Sequence, residues 1–203
     1  MHLSVITPTW MRPKLLALTA EAFRRQVHNL DAEHVVVSDG RDPEVRGVCE
    51  ALGYAPPGAG GRLTFLELDH QGGMGGAARD AGLAAARGEY CAFWDDDNHY
   101  DDHALAALYA AAFGFDVGVV QAVYHDPLPA YGGRRFAQIP ARWDGAFTLG
   151  EIDTMCVCVR TALGRTSRWA DKDETCHDFG WLDDLQKAGA TLRFVPIVIG
   201  RKL

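Results

Sequence analysis

The stretch CAFWDDDNHYDDH, residues 91–103, closes an apolar run with Asp95, Asp96, Asp97, Asp101 and Asp102, joined by His99 and His103. Carboxylates crowded in this way repel one another unless a cation shares them. Hard oxygen ligands select Mg²⁺ or Mn²⁺, ions that keep one or two protein carboxylates and fill their other positions with phosphate oxygens and water. The pattern at Asp95–Asp97 therefore predicts a metal–diphosphate site. Asp101 and Asp102 stand where a new helix begins and suit its N-terminal dipole.

The elements around the aspartates decide where such a site lies. Short β-branched runs alternate with helical stretches through the first half, the pattern of βαβ units feeding a largely parallel sheet. LSVITPT (3–9) reads as a first strand, and Pro13 opens a helix to about Gln26. HVVVSD (34–39) and LTFLEL (63–68) read as the next strands, with a short helix near 43–52 between them. A small, Ala-rich helix is expected from Gly73 to Arg87, followed by a buried strand GEYCAFWD (88–95). The aspartates then sit at a carboxyl strand end, the edge of an open α/β sheet where ligands bind. Pro8, Thr9, Asp39 and the loop Gly72–Gly76 share that edge. The second half predicts a helix near 102–113, strands near 117–124 and 152–159, a helix over about 178–188 and a last strand TLRFVP (191–196).

The loop QGGMGGAARDAG satisfies neither the phosphate-loop spacing GxxxxGK[ST] nor GxGxxG, since Ala78 stands where the last glycine would fall. What remains is a loop that admits close backbone approach, with Arg79 on the first turn of the following helix, placed to pair with a phosphate or a carboxylate.

Together, SVITPTWMRPKLL, HVVVSDG, GGMGGAARDAGLAAARGEYCAFWDDD and HDFGWLDDLQKAGATLRFVP resemble, in order and spacing, the family 2 glycosyltransferases of the GT-A fold. The resemblance implies a Rossmann-like, mostly parallel sheet flanked by helices in a single compact domain, with residues 1–110 as the nucleotide-sugar half and 111–203 as the acceptor half. It implies Pro8, Thr9 and Arg12 around the nucleotide base and ribose, Asp39 on the base, and Arg79 beside the donor. Asp95 and Asp96 would lie near the ribose and sugar, and Asp97 would hold Mn²⁺ or Mg²⁺. Ser38, Arg41 and Asp80 stand where relatives often carry Asp, Ser and Asn, which leaves the choice between UDP and another nucleotide open.

Sugar transfer also needs a general base. Asp178 matches the acidic residue of the family's ED motif, with His177 in place of the usual Glu; a helix cap is the bland alternative for the same position. Asp184 is a fallback base, and Asp153 could line the acceptor pocket. Trp181, Leu182 and Leu185 recur at helical spacing and read as core, as does Trp94, whereas Trp10 and Trp143 offer faces that could stack on a base or sugar. His99, His103 and His125 lie near the expected site.

Composition excludes several classes. The 203 residues are 48% hydrophobic with a formal charge of −7, and the acidity is concentrated in the stretch described above, so nucleic acid is an improbable partner. Five cysteines show neither a CxxC pair nor zinc spacing and read as buried thiols. No leader or membrane-spanning run is visible, and a cytoplasmic protein is expected. The leading expectation is a metal-dependent, inverting glycosyltransferase that takes a nucleotide sugar and an unspecified small-molecule, lipid-linked or protein acceptor. The alternatives are a catalytically silent nucleotide-sugar or metal-binding module and a sugar-phosphate nucleotidyltransferase, whose usual Gly-rich loop after the first strand is missing from TPTWMRP.

Overall fold

The computed structural model describes residues 1–124, 137–172 and 177–202. Three β-branched runs form the parallel strands β1 (Leu3–Thr9), β2 (Ala32–Ser38) and β3 (Leu63–Glu67), and β4 (Tyr90–Phe93) adds to the other side of β1. Helices α1 (Pro13–Gln26), α2 (Pro43–Ala51) and α3 (Gly76–Ala85) make the crossovers. They cover both faces, so β2 is buried along its whole length and carries no alternating pattern. Pro occupies the first turn of α1 and of α2, and Asp42 caps α2 by accepting the Glu44 and Val45 N–H groups at 2.9 and 3.3 Å.

The second half mixes directions. β8 (Val157–Arg160) runs antiparallel to both β4 and β6 (Val117–Tyr124), while β9 (Leu192–Lys202) returns parallel to β6. The short strands β5 (His99–Tyr100) and β7 (Ala137–Ile139) pair antiparallel with β9 and β6. The sheet order is β3-β2-β1-β4-β8-β6-β9-β5, with the longest ladders parallel. Helices α4 (Ala104–Ala112), α5 (Thr161–Gly164) and α6 (His177–Lys187) complete the described elements. This is the α/β architecture expected from the sequence, and no described helix is long and apolar enough to cross a membrane.

Several boundaries differ from expectation: the strand expected near 152–159 is a 3-10 turn over Thr154–Cys156 followed by β8, and β7 lies in the segment expected to be a loop to about 146. Gly73–Gly75 form a 3-10 turn, with Met74 at φ 49° and Gly75 at φ 82°, and α3 starts only at Gly76. A left-handed Met costs free energy, and the hydrogen bond from Arg79 Nη1 to the Met74 carbonyl at 2.9 Å helps to hold it there. The last strand passes through Pro196 and continues to Lys202, because the pairing with β6 shifts register between Val119/Phe194 and Gln121/Val198. At such an irregularity a missing N–H donor costs little.

The buried side chains form three apolar clusters. Trp94 is fully buried and stacks on Tyr100 at 4.1 Å between ring centres, and Trp181, Leu182 and Leu185 are core as their spacing implied. Gly82 lets α3 press onto β1: a methyl group there would come within 2.3 Å of Ile6 Cγ2. Cys49, Cys91, Cys156 and Cys158 are buried free thiols; Cys176 and His125 lie outside the described residues.

Beneath β1 and β2, His34 is enclosed with its Nε2 2.8 Å from Thr7 Oγ1, its Nδ1 2.6 Å from Tyr54 Oη, and its ring stacked on Phe23. Burial pulls the imidazole down to about 3, so the folded chain keeps it neutral where an unfolded chain would protonate it. Its folded value is depressed, so its contribution is intact above pH 6.5 and is lost as pH falls toward 3. The expected cost at pH 5 is roughly 2 kcal/mol relative to pH 7, read as a drop in urea midpoint, and His34→Gln should flatten that dependence.

Candidate active site

The parallel strands β1, β2 and β4 deliver their carboxyl ends to one edge, where the chain leaves them as Pro8–Thr9, Asp39 and Asp95–Asp97. Three small clusters form there.

In the first, Asp96 is buried and accepts the Thr9 hydroxyl at 2.6 Å and Arg12 Nη1 at 3.1 Å. Thr19 donates to the Asp96 carbonyl at 3.2 Å. Arg12 Nη1 also lies 2.6 Å from Asp97 Oδ2. Burial raises Asp96 above the ordinary carboxylate value, with the Thr9 hydroxyl and Arg12 pulling the other way. The repulsion for which the sequence reading called in a shared cation is in part offset within the chain, by Arg12 at Asp96 and Asp97 and by Arg79 at Asp95.

The second cluster surrounds Arg79. Its guanidinium donates to Asp95 Oδ1 at 2.6 Å and to the Met74 carbonyl at 2.9 Å, and lies 5.2 Å from the centre of the Trp169 ring. Asp80 sets that ring by accepting the Trp169 and Ala170 N–H groups at 2.9 and 3.0 Å. Glycine suits position 75 because its φ of 82° is left-handed, and an added methyl group would also crowd Arg79 Nη1 at 3.2 Å.

Asp178 lies in the first turn of α6, its Oδ1 3.1 Å from His177 Nε2. Burial alone would raise its pKa, but His177, Arg79 and Lys202 outweigh that and hold it below the ordinary carboxylate value. Asp95 moves the opposite way: burial raises it, Arg79 opposes, and Asp153 and Asp178 add to the rise. Neighbouring carboxyls driven apart like this carry different protonation behaviour into a reaction. Asp178 is the one that stays ionised and able to accept a proton.

In the third cluster Asp39 accepts the Gln71 N–H at 2.8 Å and the Gly72 N–H at 3.0 Å, and its carbonyl takes His70 Nδ1 at 2.9 Å. The carboxylate therefore shapes the loop that leads to α3; its Oδ2 also lies 3.2 Å from His70 Nδ1, which makes Oδ1 the less engaged of its two oxygens. Trp10, 51% exposed, stacks on His70 at 4.7 Å beside it. Trp143 instead packs on Phe194 and Phe147.

Among the described residues no three His, Cys, Asp or Glu side chains converge into a metal cage. Asp97, 41% exposed, presents one carboxylate, paired through Oδ2 with Arg12. A single carboxylate completed by substrate phosphates is a donor set that Mg²⁺ and Mn²⁺ accept, so the residues fit such an ion.

The sequence reading thus has its nine residues on this one edge: Thr9, Arg12, Asp96 and Asp97 in one group, Arg79, Asp95 and Asp178 in another, with Pro8 against Gly75 and Asp39 alongside. Lys202, Trp169 and His70 were missed. Asp184, the fallback base, is bound by Lys172 and by Ser167 at 2.7 Å, and Asp183 by Lys187 at 2.6 Å. His103 donates from Nε2 to the Val198 carbonyl at 2.9 Å, and His99 lies half exposed, 3.5 Å from Asp101.

Residues 4–177 match the model of the family described as glycosyl transferase family 2. "Glycosyltransferase GlyG" of Streptococcus pneumoniae serotype 4 is 25% identical over 124 residues, which are 61% of this chain and 39% of GlyG. The crystal structure of S. aureus TarS 1-349 in complex with UDP superposes with a TM-score of 0.73 at 20% identity, covering 99% of this chain and 60% of that one. The mannosyltransferase PcManGT from Pyrobaculum calidifontis, in complex with GDP-Man and Mn²⁺, gives 0.69 at 19% identity, covering 98% and 56%. The chain spans about two fifths of GlyG's length and about three fifths of the TarS chain. A match running from β1 into α6 takes in the aspartate triplet, Arg79 and the approach to Asp178, and on that ground the chain belongs to glycosyl transferase family 2.

Proposed function

We propose that this chain catalyses metal-dependent, inverting transfer of a sugar from a nucleoside diphosphate donor, a UDP-sugar in the first instance, to an acceptor hydroxyl or amine. The observation that carries the reading is Asp178, a largely enclosed carboxylate kept ionised by its surroundings on the same sheet edge as the aspartate triplet. The UDP complex of TarS and the GDP-Man and Mn²⁺ complex of PcManGT support a nucleotide sugar and a divalent ion on this fold.

In this reading Pro8, Thr9 and Arg12 flank the nucleotide, and Asp39 fixes the loop at Gln71–Gly72 while its Oδ1 meets the base. Asp97 would hold Mn²⁺ or Mg²⁺, which offsets the charge that grows on the departing diphosphate. Arg79 keeps Asp95 in place under the sugar. The acceptor oxygen or nitrogen attacks the anomeric carbon from the side opposite the diphosphate, the anomeric C–O bond breaks, and the acceptor's proton passes to the Asp178 carboxylate. One displacement inverts the anomeric centre.

The test is incubation with UDP-, dTDP- and GDP-sugars and candidate acceptors, with and without Mn²⁺, read by product mass and by the anomeric coupling of the product. A metal-dependent product of inverted configuration is expected. Asp97→Asn should abolish Mn²⁺-dependent donor binding, measured by calorimetry. Metal-independent binding without turnover would instead mark a silent binding module.

A further inference from the structure

Two successive residues between β1 and α1 break local rules. Met11 is left-handed at φ 53°, and its side chain is 68% exposed, too far out for packing to account for the strain. Arg12 is the N-cap of α1 yet makes no side-chain cap, at a position where Ser, Thr, Asp or Asn would accept an N–H bond. Local preferences overridden without local gain mark a stretch kept for a distant contact.

What the turn delivers is the Arg12 guanidinium. Its backbone is constrained on both sides, by the left-handed residue before it and by Pro13 after it, and its carbonyl accepts the Leu16 N–H at 3.0 Å. One nitrogen, Nη1, makes both ion pairs, at 3.1 Å to Asp96 Oδ1 and 2.6 Å to Asp97 Oδ2. The two carboxylates differ in freedom. Asp96 is buried and takes the Thr9 hydroxyl on Oδ2 at 2.6 Å, while Thr19 of α1 donates to its carbonyl at 3.2 Å. Asp97 is part-exposed, and Arg12 ties it to that anchor. A carboxylate free to rotate in water must be ordered when an ion binds, whereas one already held at an oxygen has met that cost. The bridge leaves the group attractive to a divalent ion, because two carboxylates against one guanidinium keep a negative charge in surplus.

We propose that Arg12 is a positioning residue for the metal ligand, tying the exposed Asp97 to the buried Asp96 so that its carboxylate is oriented for Mn²⁺ or Mg²⁺ ahead of the diphosphate. The inference rests on Asp97 being the metal ligand. An arginine that only touched the nucleotide, or only served as a countercharge, would behave differently when removed.

The readout is calorimetric binding of UDP in Mn²⁺ and in EDTA, and the ratio of the two affinities measures the metal's share. For Arg12→Gln that ratio should fall about tenfold, the scale on which losing the partner of a ligating carboxylate weakens a metal site. Arg12→Lys should recover most of it, since a single nitrogen makes both contacts. Loss of a direct nucleotide contact would lower both affinities alike and leave the ratio unchanged. Loss of a countercharge would free Asp97 for Mn²⁺ and raise the ratio. Either result overturns the proposal. If Arg12→Gln does not fold, Met11→Val keeps every charge but disfavours the left-handed turn, and it should lower the ratio severalfold while Met11→Gly keeps the wild-type value. Equal ratios in those two variants overturn the proposal as well. If wild-type UDP binding ignores Mn²⁺, or Asp97→Asn keeps the wild-type ratio, the metal assignment fails and Arg12 falls with it. A ratio abolished by Asp97→Asn but unchanged by Arg12→Gln is the failure of Arg12 alone.

Discussion

Replacing Asp178 by Asn should lower kcat for sugar transfer by about 10²–10⁴-fold and leave donor affinity within a factor of about two. The asymmetry follows from position. Asp178 enters from α6 and pairs with His177, whereas the Thr9–Arg12–Asp96–Asp97 group that would meet the nucleotide and metal is joined by hydrogen bonds of its own. Removing its charge takes away the proton acceptor without disturbing that group. The depressed pKa sharpens the expectation. In the wild type the acid limb should lie below the ordinary carboxylate value, so the rate stays level from neutral pH down to about pH 5. Stopped assays at saturating donor, paired with calorimetric titration of the donor, separate the two effects. Near-normal turnover in Asp178→Asn would move the base elsewhere. Asp184 is poorly placed for that role, because Lys172 and Ser167 already occupy it.

What the sequence disclosed, and what it hid, divides by the range of the contacts. The gathering of Pro8, Thr9, Asp39 and the aspartates follows from β–α–β order alone, since parallel strands must present their carboxyl ends together. Burial of Trp94 and Trp181 was legible from strand and helix periodicity. The partners were not. Arg12 reads locally as a charge after a strand, yet it bridges Asp96 and Asp97 across 84 and 85 residues. That bridge changes the meaning of the triplet, because its repulsion is met by the chain's own cations before any ion arrives. Trp169 sits in TSRWADKD, which has no periodicity to mark it; Asp80 at its backbone and Trp181 and Phe93 against its ring hold it under Arg79. Lys202 was hidden by Pro196: a proline reads as the end of a strand, and only the register shift against β6 reveals that β9 goes on.

The same charge balance sets the largest expected effect on stability. Arg79→Met should destabilise the chain by about 3–5 kcal/mol, because Asp95 is then left as an enclosed anion beside Asp153 and Asp178. The variant also loses the hydrogen bond to the Met74 carbonyl and the stacking of the guanidinium on Trp169, so the left-handed turn at Met74–Gly75 loosens with it. For a chain of this length that cost corresponds to a fall in Tm of roughly 10 °C. Two controls separate the charge from the packing. Since burial already raises Asp95 in the folded state, protonating it relieves the isolated anion, and the deficit of Arg79→Met should shrink between pH 7 and pH 5. Arg79→Met/Asp95→Leu, which removes both charges, should be more stable than Arg79→Met alone by urea denaturation at pH 7. A loss below about 1 kcal/mol with no dependence on pH would place Arg79–Asp95 among solvent-screened surface pairs.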